Sequence, residues 1–157
     1  MSSPRYLLGA LWLMLLICGC GSKKAPKVLV LGFDGMDPVL LRQFMDEGAM
    51  PNFLKLSRQG GMSTLGTTNP PQSPVAWSTF ITGVDPAEHG VFDFVHRDPE
   101  KLQVIPSLTE VRGGSYAMVR EGVPFWRHLE EAGVPARLVK LPACFPALER
   151  SGTYLTD

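Results

Sequence analysis

Ser73 is the residue whose position most directly suggests chemistry. It lies in a proline-rich loop, residues 69–74, that runs into an apolar segment ending at Gly83. Serine is a favoured N-cap residue and proline suits the first helical position, so we predict a helix that begins at Pro74 and is capped by Ser73. A hydroxyl there lies beside unpaired N–H groups and the positive end of the helix dipole, which suits a nucleophile that receives a phosphoryl group. The alternative is that Ser73 only caps the helix.

Asp34 is the second candidate. It follows an apolar run rich in β-branched residues, 27–33, and precedes Gly35. The run predicts a strand buried on both faces. A carboxylate at the carboxyl end of a parallel strand lies where open α/β sheets place their sites, so Asp34 is a candidate metal ligand. The alternative is a turn aspartate before glycine.

The remaining pattern predicts an alternation of helices and strands. A strand, a helix and a second strand in that order predict a right-handed parallel crossover, which would bring Asp34 and Ser73 to one edge of the sheet. The predicted helices cover residues 37–47, 50–60 and 124–132, and the predicted strands cover residues 28–33, 62–68 and 136–141, with a weaker one over 91–95.

Taken together, these motifs resemble the alkaline phosphatase superfamily, and within it the type I phosphodiesterase/nucleotide pyrophosphatase group. The resemblance is carried by the run ending at Asp34, the loop with Ser73, Thr82-Gly83 and His89-Gly90, and it covers roughly residues 27–145. It implies an α/β fold, as the N-terminal part of a mostly parallel sheet with helices on both faces. It also implies that Ser73 is both the nucleophile and a metal ligand, and that Asp34 is a metal ligand.

The resemblance further implies hydrolysis of phosphate esters, with diesters expected, through a phosphoserine intermediate. It implies two divalent cations, usually zinc, whose other ligands are an Asp-x-x-x-His pair, a distant His and an Asp-His. We expect those ligands to be absent here, and we assign none of the three histidines to metal. The chain is thus predicted to be the N-terminal fragment of a longer enzyme and inactive alone. The alternative is a non-catalytic lipoprotein that keeps part of the fold as a binding or structural module.

Two departures narrow the resemblance. Ala76 stands where many relatives carry an asparagine that helps to hold phosphate, which argues against transferring nucleotide specificity. Val75 and Trp77 stand where sulfatase relatives carry proline and arginine, which disfavours a sulfatase.

The N-terminus predicts export. Arg5 precedes an apolar run of signal-peptide length, and Ile17 and Gly19 precede Cys20 as in a bacterial lipobox. We therefore predict lipidation of Cys20. The alternative is an uncleaved membrane anchor, although the apolar run is short for a membrane span.

This pattern sets the predicted domain limits. Residues 1–19 are a lipoprotein signal peptide, 20–26 a tether and 27–157 an incomplete α/β domain. The expected location is the bacterial cell envelope, with a lipid anchor holding the protein at the membrane on the periplasmic or extracellular face.

The charge balance and the cysteine count bear on two further properties, nucleic-acid binding and disulfide formation. The chain has 15 basic and 15 acidic residues, so its charge gives no support for nucleic-acid binding. Removal of Cys18 with the signal peptide and lipidation of Cys20 would leave Cys144 alone, so no internal disulfide is expected.

Overall fold

The computed structural model describes residues 27–145 and the backbone of residues 153–155. The predicted signal peptide, Cys20 and the tether lie outside the described residues. The chain forms two compact units, residues 1–31 and 32–157. In the first unit, the described residues 27–31 form neither helix nor strand. No helix in the described part of the chain is long and apolar enough to cross a membrane.

Four of the five described helices of the second unit form where the sequence predicts them, whereas the short helix Pro86–His89 is not predicted. Asp37 begins the first one, because its Oδ1 accepts hydrogen bonds from the N–H groups of Val39 at 2.7 Å and Leu40 at 3.0 Å. The first two helices and the last end within one residue of the predicted limits. In chain order they are α1 (Pro38–Asp46), α2 (Pro51–Gly60), α3 (Ser73–Thr82), α4 (Pro86–His89) and α5 (Phe125–Glu131).

The described strands form small two-stranded sheets. β1 (Val95–Arg97) and β2 (Val104–Pro106) are antiparallel, as are β3 (Thr109–Arg112) and β4 (Ser115–Met118). β5 (Arg137–Val139) pairs in parallel with β6 (Thr153–Leu155). Between β3 and β4, Gly113 and Gly114 both have positive φ, 58° and 84°. Two such residues form the tight turn whose twist matches that of a hairpin.

The described residues combine helices with small sheets, so the fold is α/β only in this broad sense. The structure assigns no strand to residues 28–33 or 62–68. A strand needs a neighbour that pairs with its backbone groups, and neither segment has one among the described residues. The predicted strand over 136–141 does form, as β5, whereas the weak prediction over 91–95 is wrong because β1 begins only at Val95.

The apolar core of the second unit lies beside α3. Ile81 is fully buried there and packs with Trp126 and Cys144. Arg120 is also buried, and its Nη1 donates to the carbonyl oxygen of Ala143 at 2.7 Å. Burial lowers the pKa of Arg120. Burial raises the pKa of the Cys144 thiol, and the nearby Arg120 charge opposes that rise.

His89 is fully buried at the end of α4. Its Nδ1 accepts a hydrogen bond from the Val91 N–H at 3.2 Å, so Nε2 carries the proton toward Thr79 Oγ1 at 2.9 Å. Burial lowers the pKa of His89, and the positive charge of Arg120 lowers it further, while Asp85 acts in the opposite direction. The folded protein therefore favours a neutral His89.

This arrangement predicts a pH dependence of stability. The unfolded chain protonates His89 near its ordinary pKa of about 6.5, whereas the folded chain protonates it only at lower pH. The contribution of His89 to stability is therefore fully present above about pH 6.5 and falls as the pH drops from there toward the pKa of the folded state. Urea titrations followed by tryptophan fluorescence, between about pH 8 and pH 5, measure the slope. His89→Gln should flatten it, whereas His128→Gln, at an exposed position, should leave it unchanged. Equal slopes in all three proteins would contradict the prediction.

The exposed side chains of residues 28–31 predict self-association. Val28 is 82% exposed and Val30 is 65% exposed, and contiguous exposed apolar surface promotes association. Val28→Lys/Val30→Lys should therefore shift the protein toward monomer in light scattering over a concentration series. Gln59→Lys/Gln103→Lys adds the same charge at exposed positions without removing apolar surface. If this control pair lowers association equally, net charge and not the apolar segment is responsible.

Candidate functional site

The loop before α3 delivers Ser73 to the first position of the helix. Gln72, not Ser73 as predicted, is the N-cap residue, and its side chain makes no capping hydrogen bond. The carbonyl oxygen of Gln72 instead accepts from the N–H groups of Val75 at 3.1 Å and Ala76 at 2.9 Å. The prediction of a Ser73 cap is wrong by one residue. The Ser73 hydroxyl is therefore not needed as a cap, since the N–H groups of Val75 and Ala76 already have an acceptor.

The Ser73 hydroxyl reaches Asp34. Its Oγ donates to Asp34 Oδ1 at 3.1 Å, although 39 positions separate the two residues. Asp34 is exposed and lies in a turn with Gly35, whose φ of 65° is in the left-handed region that glycine adopts without strain. Ser73 is half-buried. The structure thus brings together the two residues singled out from sequence, without the sheet edge that was expected to position them.

The Asp34 turn is attached to a helix on its other side. Phe33 packs edge to face against Phe53 of α2, with ring centroids 5.7 Å apart. Such pairs contribute about 0.5–1.5 kcal/mol beyond the area that they bury. The carboxylate therefore follows a residue whose ring is already in contact with α2.

The start of α3 offers fewer backbone donors than the sequence suggested. Pro74 has no N–H, and the N–H groups of Val75 and Ala76 donate to Gln72. Among the described residues, only the Ser73 N–H of this first turn has no acceptor. An anion beside the hydroxyl would therefore meet one open N–H and the positive end of the helix dipole.

Asp34 and Ser73 fit one side of a cation site. A carboxylate and a hydroxyl oxygen 3.1 Å apart are close enough to share one divalent cation. No group of three or more His, Cys, Asp or Glu side chains meets within the described ranges. Zinc takes three protein ligands in catalytic sites and four in structural ones, so this part of the chain does not form a complete zinc site.

One spacing was missed from the sequence: Asp85 and His89 do form an Asp-x-x-x-His pair. Asp85 Oδ1 accepts from the N–H groups of Ala87 at 2.8 Å and Glu88 at 3.2 Å, which caps α4. Both ring nitrogens of His89 are engaged within the protein, as described above. Asp85 therefore caps α4 and His89 is bonded within the core. Because these hydrogen bonds already occupy the atoms that would bind a metal, the pair is not a ready metal site.

Within the described residues, the other two histidines have partners other than Asp34 and Ser73. His96 Nδ1 is 3.3 Å from Ser107 Oγ. His128 is exposed on α5 beside Glu131, at 3.9 Å.

Comparison with known proteins gives one match. No curated protein and no solved structure matches the chain significantly. The sequence model of the family described as type I phosphodiesterase / nucleotide pyrophosphatase matches residues 28–154, well over half of the chain. The match includes both Asp34 and Ser73. The chain belongs to the type I phosphodiesterase/nucleotide pyrophosphatase family, a family of phosphoester hydrolases.

Proposed function

We propose that this chain is the N-terminal part of a phosphoester hydrolase in which Ser73 is the nucleophile. The observation that carries the proposal is the hydrogen bond from Ser73 Oγ to Asp34 Oδ1 at 3.1 Å. It joins a hydroxyl at the start of a helix to a carboxylate from a distant part of the chain. Phosphate esters are the substrate class, with diesters as the first to test.

The residues of this chain have separate roles in the proposed reaction. Asp34 accepts the hydrogen bond from Ser73 and so orients Oγ toward a phosphorus atom. Oγ attacks in line and gives up its proton, the bond from phosphorus to the ester oxygen breaks, and that oxygen takes up a proton and leaves as an alcohol. Water then hydrolyses the phosphoserine and restores the hydroxyl. The Ser73 N–H and the dipole of α3 stabilise the negative charge on the phosphoryl oxygens.

Asp34 and Ser73 would also hold one divalent cation, of the two that we propose for the complete enzyme, with zinc as the first candidate. When bound, such a cation would favour the alkoxide form of Ser73 by lowering the pKa of the hydroxyl. We propose that further ligands come from additional polypeptide. The absence of a third acidic, histidine or cysteine side chain at this pair, within the described ranges, supports this arrangement.

We further propose that the complete domain contains the mostly parallel sheet. In it, residues 28–33 and 62–68 would become strands once neighbouring strands pair with them. Their exposed apolar side chains support this, with Leu65 92% exposed, as does the parallel pairing of β5 with β6. Parallel sheets are normally covered on both faces, which would bury these residues.

We propose that a lipid attached to Cys20 anchors the protein to a membrane. We propose a signal peptide over residues 1–19, a tether over 20–26, and attachment to the bacterial cell envelope with the catalytic domain on the periplasmic or extracellular face. The lipobox-like sequence before Cys20 supports it.

A non-catalytic role is the second candidate. It is favoured by the incomplete set of ligands in the described ranges. In that case the Ser73–Asp34 hydrogen bond would contribute to stability alone, and the two functions differ in what removal of the hydroxyl does.

The lipid anchor predicts a labelling result. In a bacterial host fed a radiolabelled or alkyne fatty acid, the wild-type chain should be labelled and recovered with membranes, because the proposed lipid is attached through the Cys20 sulfur. Cys20→Ala should lose both properties. Cys144→Ala, which removes a buried thiol, should keep them. An unlabelled wild-type chain would show that the lipoprotein proposal is wrong.

The nucleophile predicts a large loss of activity. Ser73→Ala, in the longest natural reading frame that contains this chain and with divalent metal present, should lower aryl phosphodiester or monoester hydrolysis by several orders of magnitude. Ser73→Thr should retain part of the activity since it keeps a hydroxyl, and Asp34→Asn should weaken metal binding. The 157-residue chain itself should show no turnover above background.

Ser78 provides the matched control for that experiment. It lies in the same helix, is fully buried, and its Oγ has no hydrogen-bond partner among the described residues. Ser78→Ala should therefore leave turnover unchanged, because the lost hydroxyl makes no hydrogen bond within the described residues. Full activity of Ser73→Ala would leave the non-catalytic role as the better account of the hydrogen bond.

A further inference from the structure

The position of Asp34 needs an explanation that the expected sheet does not provide. Asp34 is exposed and lies in a turn, and no strand ladder fixes the residues before it. A single hydrogen bond from an accessible side chain contributes about 0.5–1.5 kcal/mol, too little to hold a loop in one place. The contact between Phe33 and Phe53 attaches the neighbouring residue to α2, so a second contact with α3 is needed to limit where Asp34 can lie relative to Ser73.

Gly32 makes that second contact. A Cβ at Gly32 would lie 2.5 Å from Cη2 of Trp77 and 3.2 Å from its Cζ3. Real Cβ atoms do not approach other atoms so closely, so the indole ring packs directly on the Gly32 backbone. Its φ is not in the left-handed region, which means that glycine is required here for space and not for backbone conformation.

Trp77 is well placed to transmit this contact to Ser73. It lies four residues after Ser73 in α3, and residues with this spacing share one face of a helix. Gly32 lies two residues before Asp34. The short segment 32–34 is thus attached to the same face of α3 at two points, the indole ring and the Ser73 hydroxyl.

A series of aromatic contacts holds the indole ring in place. Trp77 meets Phe80 with ring centroids 5.8 Å apart, and Phe80 meets Phe125 at 5.7 Å. Phe125 meets Trp126 at 5.2 Å, and Trp126 is buried in the core with Ile81. Because the ring is in contact on this side, a side chain added at Gly32 would displace the segment 32–34 more readily than the ring.

We propose that Trp77 is a positioning residue whose ring, packed on Gly32, sets the distance between the Asp34 carboxylate and the Ser73 hydroxyl. The inference rests on the proposed function of that pair, but it concerns geometry and can be measured without turnover. Trp77 itself does not contact the reacting atoms in this account. It acts through Gly32 and the two residues that connect Gly32 to Asp34.

The test measures how fast positions 34 and 73 can be bridged. The full chain carries Asp34→Cys and Ser73→Cys and is treated with a short bifunctional thiol reagent. Tryptic peptide mapping separates the 34–73 bridge from any bridge to a native cysteine. Adding Gly32→Ala should slow bridging about tenfold, since small displacements have large effects on reactions between positioned groups. Adding Trp77→Phe as well should restore the rate to within about twofold, because the smaller ring leaves room for the methyl group.

Gly66→Ala is the matched control, since its added Cβ would meet no atom within 4 Å and its φ is not positive. It should leave bridging unchanged. Circular dichroism of each variant reports the helix content. General unfolding by Gly32→Ala would not be repaired by the smaller ring of Trp77→Phe, so a loss of bridging without rescue would overturn the proposal. An undiminished rate in Gly32→Ala would overturn it too.

This outcome is independent of the nucleophile experiment. Full activity of Ser73→Ala would show that the proposed reaction is wrong. The bridging result would still describe the distance between positions 34 and 73. Conversely, a slow Ser73→Ala enzyme with no effect of Gly32→Ala on bridging would keep the reaction and reject the role of Trp77. In the active polypeptide, Gly32→Ala should lower kcat with little change in KM, and Trp77→Phe should reverse that loss.

Discussion

The hydroxyl of Ser73 has a single proton to donate, and the structure of the α3 N-terminus decides where that proton goes. A serine at the N-cap would turn its oxygen toward the N–H groups of its own helix. Here the Gln72 carbonyl already satisfies the N–H groups of Val75 and Ala76, so the Ser73 side chain points out of the helix and bonds to Asp34. A shift of one residue in the helix start thus changes a capping group into a group available for chemistry.

The same helix is fixed at its other end by buried polar contacts. Thr79 bonds to His89, whose second ring nitrogen accepts the Val91 N–H, and the Thr82 hydroxyl donates to the Ser78 carbonyl at 2.7 Å. Buried polar groups are costly unless they are paired, so the bond between Thr79 and His89 restricts how α3 meets the α4 corner, whereas the Thr82 bond lies within α3. A helix held at its C-terminal end by such a contact presents its first turn in one orientation, which the proposed role of Ser73 requires.

Two apolar parts of the chain differ in how much of their side-chain surface is buried. Around Ile81 and Trp126, apolar side chains form a core and leave little exposed. Residues 28–31 and Leu65 are as apolar but remain exposed. Burial of apolar surface stabilises a fold by about 25 cal/mol per Å². The exposed side chains of residues 28–31 and Leu65 contribute little of this stabilisation in the described arrangement. It is consistent with strands that need partners, as proposed for the complete domain.

The sequence by itself determined the local features. Helix limits at Asp37, Pro51 and Gly61 depend on caps, proline and glycine, which act within a few residues, and the family signature around Asp34 and Ser73 could be recognised from residue types. Only the tertiary structure shows that residues 28–33 form no strand, that Ser73 donates to Asp34, and that both ring nitrogens of His89 are already engaged. Strand pairing and ligand geometry depend on groups far apart in the chain, and residue spacing does not contain those distances.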